Sequence, residues 1–411
     1  MTQSAKHASA NPDNVSTFRG LAPLILSIFL GYFSVSVPLG PMALEIRERL
    51  GFGSATIGGV IGLQSLATLL TRHWAGTLCD SRGPRHVILI GLPLAALSGL
   101  AYALAGVLDP GRFVVLETLI FGRLLMGLAE SLFLTGLMSW GIARLGAART
   151  GVVMSWTGMA LYAAIGLGAA SGLTGFESGG LTLVGFLMAA APVLVLGCIL
   201  PLRPVAPSGG GRTPFHKVLG MIWRFGAVLA LATIPYAALS AFLTLDYYEH
   251  GWSHAGAGFA AFAVAYIAVR LFAAGLPDRI GAMRVALGSL ALETIGQVLL
   301  WSASRPEMAV TGAAITGLGF SLVFPSMGVL ALNLVPPSIR GRALGNFIAF
   351  ADIALGVTGP IMGLAISYFT TGTAFLIGAL ATIAALCLVP GMHRQTAKQA
   401  RYSSSGRSAS R

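Results

Sequence analysis

The sequence predicts an all-α integral membrane protein whose twelve transmembrane helices form two six-helix bundles, with both termini cytoplasmic. Three observations predict it. Of 411 residues, 55% are hydrophobic and only 10% charged, with a mean hydropathy of +0.80, which is too little polar surface to coat a water-soluble globule of this length. Apolar runs of about 20 residues, the length that crosses a bilayer as a helix, recur twelve times. Lysine and arginine gather in the short loops on one side of those runs, as cytoplasmic loops do.

The spans fall at roughly 20–44, 54–76, 86–108, 113–143, 151–174, 180–201, 219–246, 254–276, 283–303, 308–334, 343–369 and 372–391. Residues 1–19 lack the apolar centre and cleavage site of a signal peptide, so they read as a disordered cytoplasmic tail and the first span as an uncleaved targeting signal. Spans one to six make the first bundle, 20–201, and the Pro/Gly/Arg-rich stretch 202–218 is the linker. Spans seven to twelve make the second bundle, 219–392, followed by a polar, Ser/Arg-rich tail, 393–411, also expected to be disordered. Pro38, Pro41, Pro235 and Pro325 interrupt spans one, seven and ten and allow bends. Bent helices commonly flank binding sites near mid-membrane, which makes Pro235 and the adjacent Tyr236 cavity candidates. Glycine, 54 residues of 411 and nearly twice the usual share of about 7%, suits helices that approach closely. With both tails placed on the side of the loops after spans two, four, six, eight and ten, that side holds 20 Lys and Arg. The other side holds Arg47, Arg49, Arg112 and Arg305, while Arg123 and Arg270 fall inside spans.

Several function classes find no support. The formal charge of +12 is scattered over short loops rather than gathered on one face, so it marks topology and not a nucleic-acid partner. Cys79, Cys198 and Cys387 have no ligand-type spacing and imply neither a disulfide framework nor a metal site. The stretch PSGGGR, 207–212, lacks the Gly-Lys-Ser/Thr ending of a phosphate loop. Nothing points to an enzyme, ATP-driven pumping or a cofactor.

The chain repeats itself. Arg72, Asp80 and Gly83 recur as Arg270, Asp278 and Gly281, each displaced by 198 residues. GLAESLF at 127–133 aligns with GLGFSLV at 317–323, and Gly151 with Gly341, at a displacement of 190. A duplicated six-helix unit follows, an arrangement known from secondary transporters.

With the repeat in view, GTLCDSRGPR at 76–85 resembles the loop between helices 2 and 3 of the major facilitator superfamily, usually written G-x-L-x-D-R-x-G-R-R. RLLMG at 123–127 resembles that family's helix 4 motif and GLGAASG at 166–172 its antiporter motif. The latter has Gly168-Ala169 where a Gly-Pro pair is usual, while span eleven carries GVTGPIMG at 356–363. Wider stretches are similar to bacterial members labelled arabinose-efflux or multidrug-efflux like. The resemblance implies the major facilitator fold, a multi-pass monomer in the bacterial inner membrane, a central cavity lined by helices 1, 4, 7 and 10, and export of a small organic solute against protons. It also implies that Asp80 docks on the start of span eleven near Gly341 to Gly345 and latches the halves on the cytoplasmic side. Gly76, Asp80, Arg82, Gly83 and Arg85, with Asp278 as the repeat of Asp80, would then form a conformational switch. From the residues alone, Gly76 permits close helix approach, Asp80 caps a helix start, and Arg82 and Arg85 supply cytoplasmic charge.

Charges inside the spans carry the remaining expectations, because one at the bilayer centre costs about 2.5 to 3.5 kcal/mol and should face a cavity or pair. Glu130 lies near the middle of span four, and Arg123 shares its face about 10 Å away at 1.5 Å per residue. They are candidates for proton or substrate handling, or a structural ion pair. Asp352 lies about 15 Å beyond Arg342 along span eleven. It is the leading proton carrier if isolated, or else a satisfied interhelical bond. Glu293, with Gln297 one turn on, is a third proton candidate on a span expected to be peripheral and packed. Arg72 and Arg270 stand near span ends and are expected to snorkel to the interface. In TLDYYEH, 244–250, Asp246 is a cavity candidate while Tyr247 and Tyr248 suit an aromatic belt. Glu117 is vestibule lining or interfacial. The function expected is a proton-coupled antiporter; the alternatives are an importer or exchanger of an anionic metabolite, with Arg123 as clamp, or a non-transporting receptor on the same fold.

Overall fold

The computed structural model describes residues 12–107, 111–146, 150–207, 215–335 and 340–408, with side chains over 21–107, 111–146, 152–207, 220–277, 279–335, 343 and 345–392. The helices in chain order are α1 Pro12–Ser36, α2 Leu39–Leu44 continuing as a wide turn through Glu45–Arg49, α3 Ser54–Arg82, α4 Pro84–Val107, α5 Arg112–Leu145, α6 Thr150–Ile199, α7 Phe215–Glu249, α8 Gly256–Ala273, α9 Leu276–Ile280, α10 Ala282–Trp301, α11 Pro306–Asn333, α12 Arg340–Tyr368 and α13 Thr373–Ser408. Among the described residues there is no strand, and ten helices are long and apolar enough to cross a membrane. Large apolar side chains such as Leu104, Phe121 and Phe272 point outward at 52%, 57% and 90% exposure, a surface that water would not tolerate and lipid does. α5 carries Arg123 and Glu130 and is not among the ten. α6 is broken at Gly179 and Gly180, the latter with φ +60°. Before the break Gly168 meets α1, and after it Gly185 meets α4.

Local chemistry explains the breaks. α1 stops at Ser36 and α2 restarts at Leu39, because Pro41 has no N–H to give the Val37 carbonyl four residues back. That freed carbonyl sits where a Cβ on Gly172 would lie 1.9 Å away, so a glycine is required for α6 to pass. Ser27 and Ser36 donate to the carbonyls of Pro23 and Tyr32, both at 2.7 Å, which keeps their hydroxyls satisfied in a dry interior. α1 begins at Pro12 and α13 runs to Ser408, so helix occupies part of both tails expected to be disordered. Residues 393–401 are rich in Gln, Ala, Lys and Arg, good helix formers that let the preceding span run on.

α1, α3, α4, α5 and α6 pack among themselves, as do α7, α8, α10, α11, α12 and α13; α3 on α12, α6 on α8 and α2 on α7 join the sets. The α3–α12 seam is a run of glycines. A Cβ on Gly58 would lie 2.0 Å from the Gly359 carbonyl oxygen, one on Gly62 would lie 2.5 Å from that of Gly356, and one on Gly363 would lie 2.4 Å from that of Ser54. On the same face of the molecule, here the Glu249 face, Arg47 reaches Glu249 at 3.6 Å and Thr371 donates to Glu249. Tyr247 there is buried, donates to the Pro306 carbonyl at 3.2 Å and meets Trp252 edge to face. Tyr247 is therefore a packing residue and not part of the belt expected for both tyrosines, while Tyr248 is exposed. The loop after α7 folds back over Tyr247, which spacing along the chain does not reveal.

Candidate functional site

Between the two sets of helices lies a cavity of about 200 Å³. At on the order of 15 Å³ per water, it has room for a small organic molecule. Its sealed end, toward the Glu249 face, includes Leu39, Ile165 and Gly359, and its other end includes the half-buried Met138, Met154 and Phe324. Five charged side chains reach it: Arg72, Arg123, Arg270, Glu130 and Asp352.

The first cluster is built on α1, α3 and α5. Glu130 accepts from the Tyr32 hydroxyl at 2.9 Å and from Gln64 Nε2 at 2.8 Å, while the other end of the same amide accepts from Arg123. Arg123 and Glu130 thus meet through Gln64 and not directly. Thr68, one turn on, donates to the Gly127 carbonyl at 3.0 Å and ties α3 to α5.

The second cluster joins the two sets of helices. Arg72 Nη2 donates to Asp352 Oδ1 at 3.0 Å, and Arg72 Nε lies 2.7 Å from Oδ2 as an ion pair without good hydrogen-bond alignment. Asp352 is therefore paired, where the sequence suggested an isolated carboxylate. Arg72 turns inward across the α3–α12 seam instead of snorkelling. Arg270, its repeat, is also buried, at 6% exposure. It donates to the Tyr266 hydroxyl at 2.9 Å and lies over that ring. Around it Tyr162 packs on Tyr236, Tyr266 and Phe320 with ring centroids 4.0 to 5.6 Å apart. The cavity thus has an ionic wall on one side and an aromatic wall on the other. The repeat accounts for part of the contrast. A displacement of 190 pairs Asp352 with Tyr162 and Phe320 with Glu130, so each of the two carboxylate positions is aromatic in the other half.

A family model described as the Major Facilitator Superfamily matches residues 24–253 and 225–410. The chain belongs to the major facilitator superfamily. An uncharacterized MFS-type transporter of Pseudomonas aeruginosa is 39% identical over 376 residues, covering 92% of this chain and 94% of that one. One of Salmonella typhimurium is 38% identical over 380 residues, covering 92% and 98%. YhhS, another such transporter, of Escherichia coli, is 34% identical over 368 residues, covering 90% and 91%. Among solved structures, the nucleoside transporter NupG superposes with a TM-score of 0.69 at 17% identity over 91% of this chain and 99% of that one. A POT family transporter superposes with 0.71 at 13% over 92% and 96%. These two share the fold. The protein is accordingly a multi-pass transporter of the bacterial inner membrane and not an enzyme.

In this major facilitator chain the signature loop ends α3. Gly83, at φ +86°, closes the helix by donating to the Cys79 carbonyl at 2.9 Å, a turn that favours glycine. Arg85 Nη2 donates to the Leu200 carbonyl at 3.1 Å and so satisfies the carbonyl end of α6, a role beyond loop charge. Arg82 lies beside His86 at 3.4 Å. A Cβ on Gly76 would meet nothing within 4 Å, so the close approach expected at that glycine is absent in this conformation. Asp80 is exposed; part of its expected dock near Gly341, and the side chain of Asp278, lie outside the described residues.

Of the other expected cavity residues, Tyr236 lines the space and Pro235 does not; Pro235 faces Gly378 on α13, because adjacent helix positions point about 100° apart. Asp246 is buried beside His250 at 3.7 Å, off the cavity. Glu117 is exposed and Glu293 fully buried, and neither lines the cavity. Sequence reasoning passed over Tyr32, Gln64, Tyr162 and Tyr266. For Gln64 a signal existed: Gln64, Thr68 and Arg72 recur every four residues, a polar stripe along one line of the helix.

Proposed function

We propose that the protein is a proton-coupled secondary transporter that moves a small organic solute by alternating access, as a monomer of twelve spans with both termini in the cytoplasm. Counting α5 and dividing α6 at Gly179 and Gly180 supports twelve. The packing into two sets supports bundles at 20–201 and 219–392 joined by 202–218. On that orientation the Glu249 face is periplasmic, and the cavity, sealed there by the glycine seam, faces inward.

The observation that carries the coupling is the Arg72–Asp352 pair, which bridges α3 and α12 within the cavity. A proton on Asp352 removes its charge and leaves Arg72 without its partner. Protonation and the strength of the bridge between bundles are then one equilibrium. Glu130, held by Tyr32 and Gln64, is the second carboxylate able to take a proton from the same space. The efflux-type resemblance supports export by antiport. Import or exchange of an anion is supported by the cavity's own charge, three arginines against two carboxylates, a formal +1. Each proton bound raises that charge, strengthening an anion's hold and weakening a cation's. The sign of coupling therefore follows from the solute's charge.

A thermal-shift screen of the purified protein against metabolites and drugs identifies a solute, whose flux is then followed in vesicles under an imposed pH gradient. Asp352→Asn and Glu130→Gln should each abolish gradient-driven flux in folded protein. Unchanged gradient-driven flux in both variants removes the assignment.

A further inference from the structure

Arg72 has Asp352, and Arg123 reaches Glu130 through Gln64. Arg270 has no carboxylate within ion-pair distance among the described residues; its described polar partner is the Tyr266 hydroxyl, and its Nε has none. A guanidinium stays charged in any protein setting, and a buried charge without a counter-ion is costly. Arg270 and Tyr266 both line the cavity. Gly158 of α6 packs beside them, where a Cβ would lie 3.3 Å from the Tyr266 hydroxyl and 3.7 Å from Arg270 Nη2, so a glycine there adds no side chain over the guanidinium. The Tyr266 oxygen accepts from Arg270, which leaves its own proton to donate into the cavity. Two donors thus converge beside the aromatic wall of Tyr162, Tyr236 and Phe320.

We propose that Arg270, with Tyr266, anchors the acidic group of the transported solute, and that the solute is a small organic anion whose flat, unsaturated body lies against Tyr162, Tyr236 and Phe320. Carboxylate, phosphonate and sulfonate all present the acceptor oxygens that a guanidinium fork matches, while the rings contribute stacking. This rests on the transporter reading above and names the class of its cargo. Coupling to protons is not needed for it to hold.

The test is binding by purified protein in detergent at constant chloride. The probes are benzoate, phenylphosphonate, benzenesulfonate, indole-3-acetate and 4-hydroxybenzoate, with benzamide, benzylamine and cyclohexylamine as neutral and cationic counterparts, read by thermal shift and tyrosine fluorescence. At least one aromatic anion should stabilise the protein, and its uncharged counterpart should not. Arg270→Gln should lower that affinity by about 10- to 100-fold, the scale of a charge-assisted pair. Arg270→Lys should recover part of the loss and Tyr266→Phe should show a smaller one. The unliganded Arg270→Gln protein should melt no lower than the parent, since it sheds a charge with no counter-ion. Stabilisation by no anion of the panel, preference for the amines or amides, unchanged anion affinity in Arg270→Gln, or unfolding of that variant would each overturn the proposal. Anion selectivity that vanishes with Arg270, together with flux indifferent to a pH gradient, would retain the anchor and remove the coupling.

Discussion

Replacing Gly58 by alanine tests what closes the cavity toward the Glu249 face. The added carbon would lie 2.0 Å from the Gly359 carbonyl oxygen and 2.7 Å from its carbon, backbone atoms that no rotamer change can move. Ordinary contact begins at 3.4 Å, so α3 and α12 must part by about 1.4 Å, the difference between 3.4 and 2.0. Overpacking of this kind costs about 1 to 3 kcal/mol and falls only on the conformation in which the seam is shut. The outward-facing state should then gain about 5- to 150-fold in relative population. The assay replaces Cys79, Cys198 and Cys387 by serine, places a reporter cysteine at Leu39, which lines the sealed end, and adds a membrane-impermeant maleimide to the outside of intact cells. Gly58→Ala should label the reporter several-fold faster. Gly59→Ala, where an added carbon meets nothing within 4 Å, should leave the rate alone. Equal rates for the two variants, with equal amounts of folded protein, would refute the claim that backbone contact at this crossing holds the outer face shut.

Glu249→Gln should keep an acceptor for Thr371 and lose the ion pair with Arg47. Both partners of that pair are about a third exposed, at 39% and 31%, and such pairs contribute about 0 to 1 kcal/mol, so labelling of the same reporter should change less than about fivefold. Glu293 is fully buried with neither carboxyl oxygen partnered among the described residues, a condition that costs about 1 to 3 kcal/mol. Glu293→Met should accordingly raise the melting temperature of the purified protein without altering solute binding in the panel, and a lowered melting temperature would show that the carboxyl group supports the packing of α10 on α11.

That the chain is helical and crosses a membrane many times could be read from its residues alone. A bilayer accepts only long apolar helices whatever they pack against, and the cost of a charge in hydrocarbon marks Arg123, Glu130 and Asp352 without any knowledge of their neighbours. The repeat was equally plain, since Arg72 and Arg270 stand 198 residues apart in matching surroundings. Depth along a helix is a matter of counting at 1.5 Å per residue, which is why Asp352 could be placed at the level of a cavity. Which way a side chain faces at that depth is set by the neighbouring helices. Arg72 is the clearest case: counted from the end of its span it lies within reach of the interface, yet it turns across the α3–α12 seam to a carboxylate 280 residues away. Gln64, which links Arg123 to Glu130, and Tyr162, which occupies the place of Asp352 in the other half, are the same kind of case. Local propensity and hydropathy act along one chain segment, and the partners of a buried charge come from several segments at once. The helical, multi-pass character and the presence of costly charges were therefore written in the order of residues. Which of those charges pair, and that Arg270 faces the cavity without an ion-pair partner among the described residues, were decided by how the helices meet.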